Sequence, residues 1–103
     1  MKKNKISKNW INKQRRDIYV RQSKVEGYRS RAVYKLKEIN GKFKFLKNNI
    51  SVIDLGAAPG SWSQYISSNL KCNKHLAIDL NEIEEIKNVK ILKGDFTDTE
   101  QQN

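Results

Sequence analysis

Hydrophobic and polar positions follow a different spacing in the two halves of the chain. Up to residue 47, apolar side chains recur every three or four positions among charged ones, which predicts helices. From residue 48 onward, mostly apolar segments of four to six residues, each interrupted by a charged residue, stand between turn-forming residues, which predicts buried strands. We therefore expect a helical N-terminal region followed by a sheet.

Two helices are predicted in the first half. The first, over residues 10–26, has a weak apolar pattern, and Gly27 is placed to end it. The second is predicted between the N-cap Ser30 and Gly41, with an apolar stripe of Ala32, Leu36 and Ile39. Residues 1–9 are polar and charged, and we expect a disordered arm there.

The second half predicts three strands, at residues 51–55, 75–80 and 89–92. Between the first two, Ser61 is a suitable N-cap for a helix that reaches about Leu70. Residues 82–87 allow one helical turn before the third strand. Strand, helix, strand, turn and strand in this order are typical of a parallel sheet with right-handed crossovers.

These elements predict an α/β fold of the Rossmann-like, doubly wound type. A complete domain of this type has about six strands, with helices on both faces of the sheet, and only about three are predicted here. The polar tail at residues 100–103 stands where the next helix would begin. We therefore expect residues 48–103 to be the first half of a larger domain, or a truncated copy of it, preceded by a basic helical region at residues 1–47.

Charge divides the chain at the same place. Residues 1–47 carry 16 Lys and Arg against three acids, and residues 48–103 carry five against eight, for a net charge of +10. A basic region beside a nearly neutral one predicts a polyanionic partner, with nucleic acid as the leading candidate. An AT-biased genome would also enrich lysine, but it does not explain why all five arginines lie between residues 15 and 31.

We expect the basic region to contact RNA phosphates, principally through Arg15, Arg16, Arg29 and Arg31. Trp10, Tyr19 and Tyr28 lie among these charges. They could stack on unpaired bases, and packing in a core is at least as plausible for each.

The cysteine content and the N-terminus limit the class of protein. Cys72 is the single cysteine, which excludes an internal disulfide and the usual thiol cluster of a metal site, and fits a reducing cytosol. No apolar stretch indicates a signal peptide or a membrane span. We expect a cytoplasmic protein that acts as a monomer, without a metal and without a membrane.

The loop IDLGAAPGSW, residues 53–62, follows the first predicted strand and should face the ligand crevice of such a sheet. Its glycines do not have the spacing of a phosphate cradle, and Pro59 lacks an N–H donor. Gly56 and Gly60 would let the chain turn sharply and let a ligand approach the backbone. Asp54 could attract a cationic group, so an amino acid moiety beside a sulfonium would suit the loop. Alternatively, the small residues only pack a helix onto the sheet.

Two more carboxylates follow the other predicted strands. Asp79 ends the second strand, where an acid often binds ribose hydroxyls, and Asp95 ends the third, where it could reach an adenine edge. Asp79 could instead form an N-cap pair with Glu82, and Asp95 could be an ordinary turn residue. Three acids at three consecutive strand ends favour a nucleoside ligand.

Four stretches in this order closely resemble the FtsJ/RrmJ family of S-adenosylmethionine-dependent RNA 2′-O-ribose methyltransferases: SRAVYKLKEI (30–39), DLGAAPGSWSQY (54–65), IDL (78–80) and GDF (94–96). The resemblance extends from about Trp10 to Asp98. It implies 2′-O-methylation of a uridine ribose in large-subunit (23S) rRNA, on the assembled 50S subunit.

The resemblance also implies roles for individual residues. It assigns the S-adenosylmethionine site to Gly60, Trp62, Asp79 and Asp95, with support from Asp54 and Gly56. It matches Lys35 to the first lysine of the family's catalytic Lys-Asp-Lys-Glu set, although helix position alone favours a solvated lysine in a surface ion pair, beside Arg31 and Glu38. The remaining three catalytic residues would lie beyond residue 103, so we expect the chain alone to be inactive.

The chain departs from the family pattern before the tryptophan, and its sequence leaves two other functions as alternatives. The family usually has Gly-Gly before the tryptophan, whereas this chain has Gly60-Ser61. A non-catalytic RNA-binding module that keeps half of a cofactor-binding sheet is the main alternative function. A nicotinamide-dependent oxidoreductase is disfavoured, because the loop does not form a pyrophosphate site.

Overall fold

The computed structural model describes the backbone of residues 2–95 and the side chains of residues 8–95. The elements are α1 (Lys2–Glu26), α2 (Val33–Phe43), β1 (Ser51–Leu55), α3 (Ser61–Asn69), β2 (Lys74–Asp79) and β3 (Lys90–Lys93). Phe96 of the GDF motif and the polar tail lie outside the described residues. The predicted α/β order is confirmed, with differences at several element ends.

The first helix is longer than expected. We predicted a disordered arm over residues 1–9, but α1 begins at Lys2, so this prediction was wrong. The segment contains neither glycine nor proline, and its lysines have good helix propensity, so nothing in it interrupts the helix. The helix ends as predicted at Gly27, which has a φ of 82°, and the N–H of Tyr28 bonds the carbonyl of Ser23 at 2.8 Å.

Both predicted ends of α2 were wrong. Its N-cap is Ala32 rather than Ser30, whose hydroxyl instead bonds the Ser61 hydroxyl at 2.8 Å. The helix also continues past Gly41 to Phe43, because Lys44 takes the left-handed conformation and its N–H bonds the carbonyl of Asn40 at 2.7 Å. A glycine inside a helix lowers stability but does not stop the helix when a later residue supplies the cap.

The sheet is parallel, with the strand order β1-β2-β3. Asp54 is in register with Ala77, and Asp79 is in register with Lys93. The carboxyl ends of the three strands therefore meet at one edge, where ligands bind in sheets of this kind.

The two connections inside the sheet differ from the expected ones. The N-cap of α3 is Gly60 rather than Ser61. Residues 82–86 have no regular structure, so the predicted helical turn is wrong. Ile83 and Ile86 are both buried, and this apolar spacing reflects packing onto the sheet rather than a helix.

In the described residues only one face of the sheet is covered. On that face Ala57 and Ala77 pack with Ile83 and Ile86, and α3 bonds the strands through Ser63. The opposite face leaves Ile53, Leu55 and Leu92 between 40% and 66% exposed. We expected helices on both faces of the sheet, and within the described residues one face is covered.

Candidate active site

The loop between β1 and α3 turns sharply at Gly56, which has a φ of 67°. The N–H groups of Gly56 and Ala57 both donate to the carbonyl of Ile78, at 2.9 and 3.1 Å. A Cβ at Gly56 would meet no atom within 4 Å, so the space beside this turn is open. The Ala58-Pro59 peptide bond is cis.

A cleft of about 250 Å³ lies beside this loop. Among the predicted cofactor residues, Asp54, Gly56 and Trp62 line it, whereas Gly60, Asp79 and Asp95 do not. Its other lining residues come from the start of α2 and from the loop: Ser30, Ala32, Leu55, Ala57, Ala58, Pro59 and Ser61.

Asp79 holds the loop against the second strand. Its Oδ2 accepts the N–H of Ala58 at 2.9 Å, and its Oδ1 accepts the N–H of Asn81 at 2.8 Å. The Asn81 and Ala58 donors favour the ionised form and hold the pKa of the Asp79 carboxyl below its usual value, although burial opposes them. The alternative N-cap pair with Glu82 was wrong, because no helix follows Asp79.

Asp95 follows β3 at the same edge of the sheet. The preceding Gly94 donates its N–H to the carbonyl of Asp79 at 2.9 Å, which brings the ends of β2 and β3 together. The three carboxylates predicted from the strand ends therefore lie along one edge. Their contacts with a ligand stay predictions.

Gly60 and Arg29 pack against each other where the loop enters α3. Gly60 has a φ of 114°, and a Cβ there would lie 3.0 Å from Cδ1 of Ile86 and 3.1 Å from Nη1 of Arg29. Nη1 of Arg29 donates to the carbonyls of Pro59 at 3.0 Å and Glu84 at 2.7 Å, and Nη2 donates to that of Glu85 at 2.7 Å. Because Gly60 has no Cβ, the Arg29 guanidinium has room to lie beside it.

Arg29 has a role that the sequence reasoning missed. We predicted a phosphate contact, but three carbonyls from two different loops accept from its guanidinium. Its backbone N–H also bonds Oε1 of Gln64 at 3.0 Å, and Nε2 of Gln64 bonds the carbonyl of Gly27 at 2.8 Å. Position among other basic residues gave no signal that could separate this arginine from the exposed ones.

Trp62 and Ser61 connect α3 to the start of α2. The indole N–H of Trp62 donates to the carbonyl of Ala32 at 2.7 Å. Ser61 is buried and bonds Ser30, so the residue that departs from the family pattern has a defined structural partner. These contacts form the wall of the cleft on the α2 side.

Lys35 lies in the first turn of α2, three residues after Ala32. Its ammonium is 4.0 Å from the Glu38 carboxylate, and its side chain is 67% exposed. It does not line the cleft. The structure therefore contains the surface ion pair that helix position favoured, and the catalytic role of Lys35 stays a prediction.

Four arginines of the described residues are exposed: Arg15, Arg16, Arg21 and Arg31. None of them forms an ion pair with the side chains of residues 8–95. Trp10 on α1 is 62% exposed.

The tyrosines near this surface contact protein groups. The ring centroids of Tyr19 and Tyr34 are 5.3 Å apart. The Lys37 ammonium lies 5.0 to 5.4 Å from the centroids of Tyr28, Tyr34 and Tyr65. Tyr19 and Tyr28 therefore help to pack α1 against the rest of the chain.

A buried hydrogen-bond chain behind the cleft was not predicted. Ser63 donates from Oγ to Oδ2 of Asp54 at 2.7 Å, and Nε2 of His75 lies 2.9 Å from the same Oγ. A serine in a helix and a histidine at the start of a strand gave no pattern that would link them to Asp54.

Residues 2–95 lack two features, a cluster of metal-ligating side chains and a helix able to cross a membrane. No group of three or more His, Cys, Asp or Glu side chains is arranged to hold a metal ion in this range. None of the helices described there has both the length and the hydropathy that a membrane crossing requires.

The chain is similar to curated proteins that share one name. It is 68% identical over 102 residues to the ribosomal RNA large subunit methyltransferase E of Pelagibacter ubique, which covers 99% of this chain and 50% of that protein. It is 49% identical to the protein of the same name from Rickettsia felis, over 87% of this chain and 42% of that one. The chain thus spans about half the length of the curated relatives it matches.

A solved structure and a family model agree with these relatives. A crystal structure of a ribosomal RNA methyltransferase from Plasmodium falciparum superposes with a TM-score of 0.64 and 41% identity, over 71% of this chain and 41% of that one. The family model described as FtsJ-like methyltransferase matches residues 28–103. With the Rossmann-like half-sheet and the relatives above, this match shows that the chain belongs to the FtsJ-like methyltransferases.

Proposed function

We propose that this chain forms the cofactor-binding part of a cytoplasmic enzyme that transfers a methyl group from S-adenosylmethionine to a uridine 2′-hydroxyl of large-subunit rRNA. The observation that carries the proposal is the cleft at the carboxyl edge of the sheet, lined by Asp54, Gly56 and Trp62. The names of the relatives, each matched over about half its length, support rRNA as the substrate.

The residues of the cleft fit the amino acid part of such a cofactor. Oδ2 of Asp54 accepts from Ser63, and Oδ1 accepts no hydrogen bond from residues 8–95, so it can accept one from an ammonium group. Gly56 has no Cβ and lets a ligand lie against the backbone. S-adenosylmethionine would supply an electrophilic methyl group on its sulfonium.

Asp79 and Asp95 are proposed to bind the nucleoside part. Each carboxylate oxygen of Asp79 accepts one backbone N–H and keeps a second lone pair, which can accept from a ribose hydroxyl. The lowered pKa keeps this carboxylate ionised at neutral pH. Asp95 is exposed at the neighbouring strand end, where it could accept from an adenine amino group.

Lys35 is proposed to act on the ribose hydroxyl. A methyl transfer to this hydroxyl is an in-line displacement, and an ammonium beside it can orient the oxygen and stabilise its developing charge. The ion pair with Glu38 is exposed, and exposed pairs contribute only about 0.2–1 kcal/mol, so Lys35 can leave it at little cost. The family's other catalytic Asp, Lys and Glu are expected beyond residue 103.

RNA binding is proposed to use the exposed arginines of α1 together with Arg31. Since their side chains have no ion-pair partner within residues 8–95, they are available for phosphates. Large-subunit 23S rRNA, in the assembled subunit, is the proposed substrate of a monomeric enzyme.

The test uses the full-length protein and two measurements. Calorimetry with S-adenosylmethionine should show binding that Asp79→Asn weakens at least tenfold, because the substitution removes the charge and one acceptor oxygen. Asp17→Asn on α1 is the matched control and should bind normally. Labelled methyl groups should then appear on a uridine 2′-oxygen of large subunits from a strain that lacks the enzyme.

The results would separate the two candidate functions. No heat with the cofactor and no label on rRNA would contradict the proposal. RNA affinity without either signal would support the non-catalytic RNA-binding module instead.

A further inference from the structure

A chain of buried polar groups lies directly behind the cleft. Ser63 on α3 is 0% exposed and His75 on β2 is 6% exposed. The Ser63 hydroxyl contacts both Oδ2 of Asp54 and Nε2 of His75, at 2.7 and 2.9 Å. Buried polar groups must find hydrogen-bond partners, so these three side chains connect β1, α3 and β2 at one point.

Counting protons settles the direction of the two hydrogen bonds. An ionised carboxylate only accepts, and a serine hydroxyl has one proton to donate. Because Ser63 gives that proton to Asp54, its oxygen must accept from His75, which therefore carries its proton on Nε2. His75 holds Ser63 in one rotamer, and Ser63 in turn holds one oxygen of Asp54.

We propose that Ser63 and His75 are positioning residues for the cofactor: they fix the Asp54 carboxylate so that its second oxygen faces the cleft. Neither side chain lines the cleft, so both act through Asp54. The inference rests on the proposed function, because it assumes that Asp54 binds the cofactor's cationic group.

The protonation state of His75 agrees with this arrangement. Burial lowers the pKa of His75 below its usual value, while the nearby Asp54 charge opposes the shift. His75 is therefore neutral at neutral pH, and its one ring proton is the Nε2 proton that Ser63 accepts. A neutral donor fixes Ser63 without placing a positive charge beside Asp54 that would compete with a cationic ligand.

Substitutions in the full-length protein test this role, with the Kd for S-adenosylmethionine as the first measurement. Ser63→Ala removes the donor to Asp54, and we expect a Kd about tenfold higher. His75→Leu should raise the Kd by a smaller factor, whereas His75→Gln keeps an N–H donor and should restore most of the affinity. Ser67→Ala is the matched control, since this serine of α3 also donates a hydrogen bond, to the carbonyl of Lys87.

A second measurement separates positioning from a general loss of structure. In an Asp54→Asn background, Ser63→Ala should raise the Kd little further, because its effect passes through the carboxylate. If Ser63→Ala does not fold, the His75→Leu and His75→Gln pair provides the same comparison.

The possible results are distinct. A tenfold loss in Ser63→Ala that is absent in Ser67→Ala and in the Asp54→Asn background would support the inference. An unchanged Kd in both Ser63→Ala and His75→Leu would overturn it and leave the proposed function standing. Failure of the unsubstituted protein to bind the cofactor would overturn both.

Discussion

The helix α1 and the loop after β1 are built in opposite ways. In α1 most described side chains are exposed, and Ser23 is the buried one among residues 8–26. In the loop, successive backbone groups are bonded to β2: Gly56 and Ala57 to a carbonyl, and Ala58 to the Asp79 carboxylate. The helix has an exposed, charged surface, whereas the loop has a backbone conformation fixed by hydrogen bonds. Substitutions in the loop should therefore change stability, and substitutions in the helix should change affinity for a charged partner.

Arg29 follows α1 in the sequence but bonds the loop after β1, so its role differs from that of the basic residues of the helix. Its position in the sequence places it with the basic residues, yet its guanidinium bonds carbonyls of the loop and of the segment after β2. Charge alone therefore does not separate exposed arginines from an arginine that bonds the protein backbone. Substitutions should therefore separate residues that determine the shape of the loop from residues that supply charge.

The largest effect is expected at Gly60. Gly60→Ala forces a side chain into a φ of 114° and places its Cβ 3.0 Å from Ile86, so we expect about 3 kcal/mol less free energy of unfolding in urea denaturation. Gly41→Ala is the control, because Gly41 lies inside α2 with nothing within 4 Å of its Cβ, and it should gain about 0.5–1 kcal/mol. Equal effects of the two substitutions would contradict the role given to Gly60.

The next effect compares two arginines that are two residues apart. Arg29→Ala should lower the free energy of unfolding by about 2 kcal/mol, because it removes charged hydrogen bonds to three carbonyls. Arg31→Ala should leave stability unchanged, since Arg31 is exposed and has no ion pair with residues 8–95. Thermal melts of both variants check this. A normal melt for Arg29→Ala would show that its contacts contribute nothing.

The elements predicted most accurately were those whose signal is local. The bounds of β1 were predicted correctly, and those of α3, β2 and β3 to within one residue, from short mostly apolar segments and turn residues. The failures came from tertiary contacts: Ile83 and Ile86 mimic a helical turn but pack on the sheet, and Ser30 and Ser61 bond each other instead of capping helices. Helix propensity does not predict which group a serine hydroxyl bonds, because the partner lies about 30 residues away in the sequence.

The candidate site was predictable only in part. The motif placed Asp54, Gly56 and Trp62 together, because all three lie at or soon after the carboxyl end of β1. It could not show that the Asp79 carboxylate accepts the N–H of Ala58 from another element, or that His75 lies behind Asp54. Such contacts depend on side-chain geometry across elements.

A smaller effect is expected on RNA affinity at α1. The double substitution of Arg15 and Arg16 to glutamine removes two exposed charges, so the slope of log K against log salt should fall by about two in filter-binding experiments with large-subunit RNA. Stability should not change, because neither side chain forms an ion pair with residues 8–95. An unchanged slope would show that α1 does not contact phosphates.

The smallest expected effect is a pH dependence of the free energy of unfolding, caused by His75 behind the loop. The pKa of His75 is lower in the folded protein, through burial, than its unfolded value of about 6.5. Between the two pKa values the unfolded chain binds more protons, so the free energy of unfolding should be highest above about pH 6.5 and should decrease as the pH falls below it. Urea midpoints of the full-length protein measured from pH 7.5 to 5 should show this decrease.

His75→Gln does not titrate and keeps a donor to Ser63, so its midpoint should decrease less over the same range. Parallel curves for the two proteins would mean that His75 has the same pKa folded and unfolded, and that the chain of hydrogen bonds to Asp54 does not depend on a neutral imidazole.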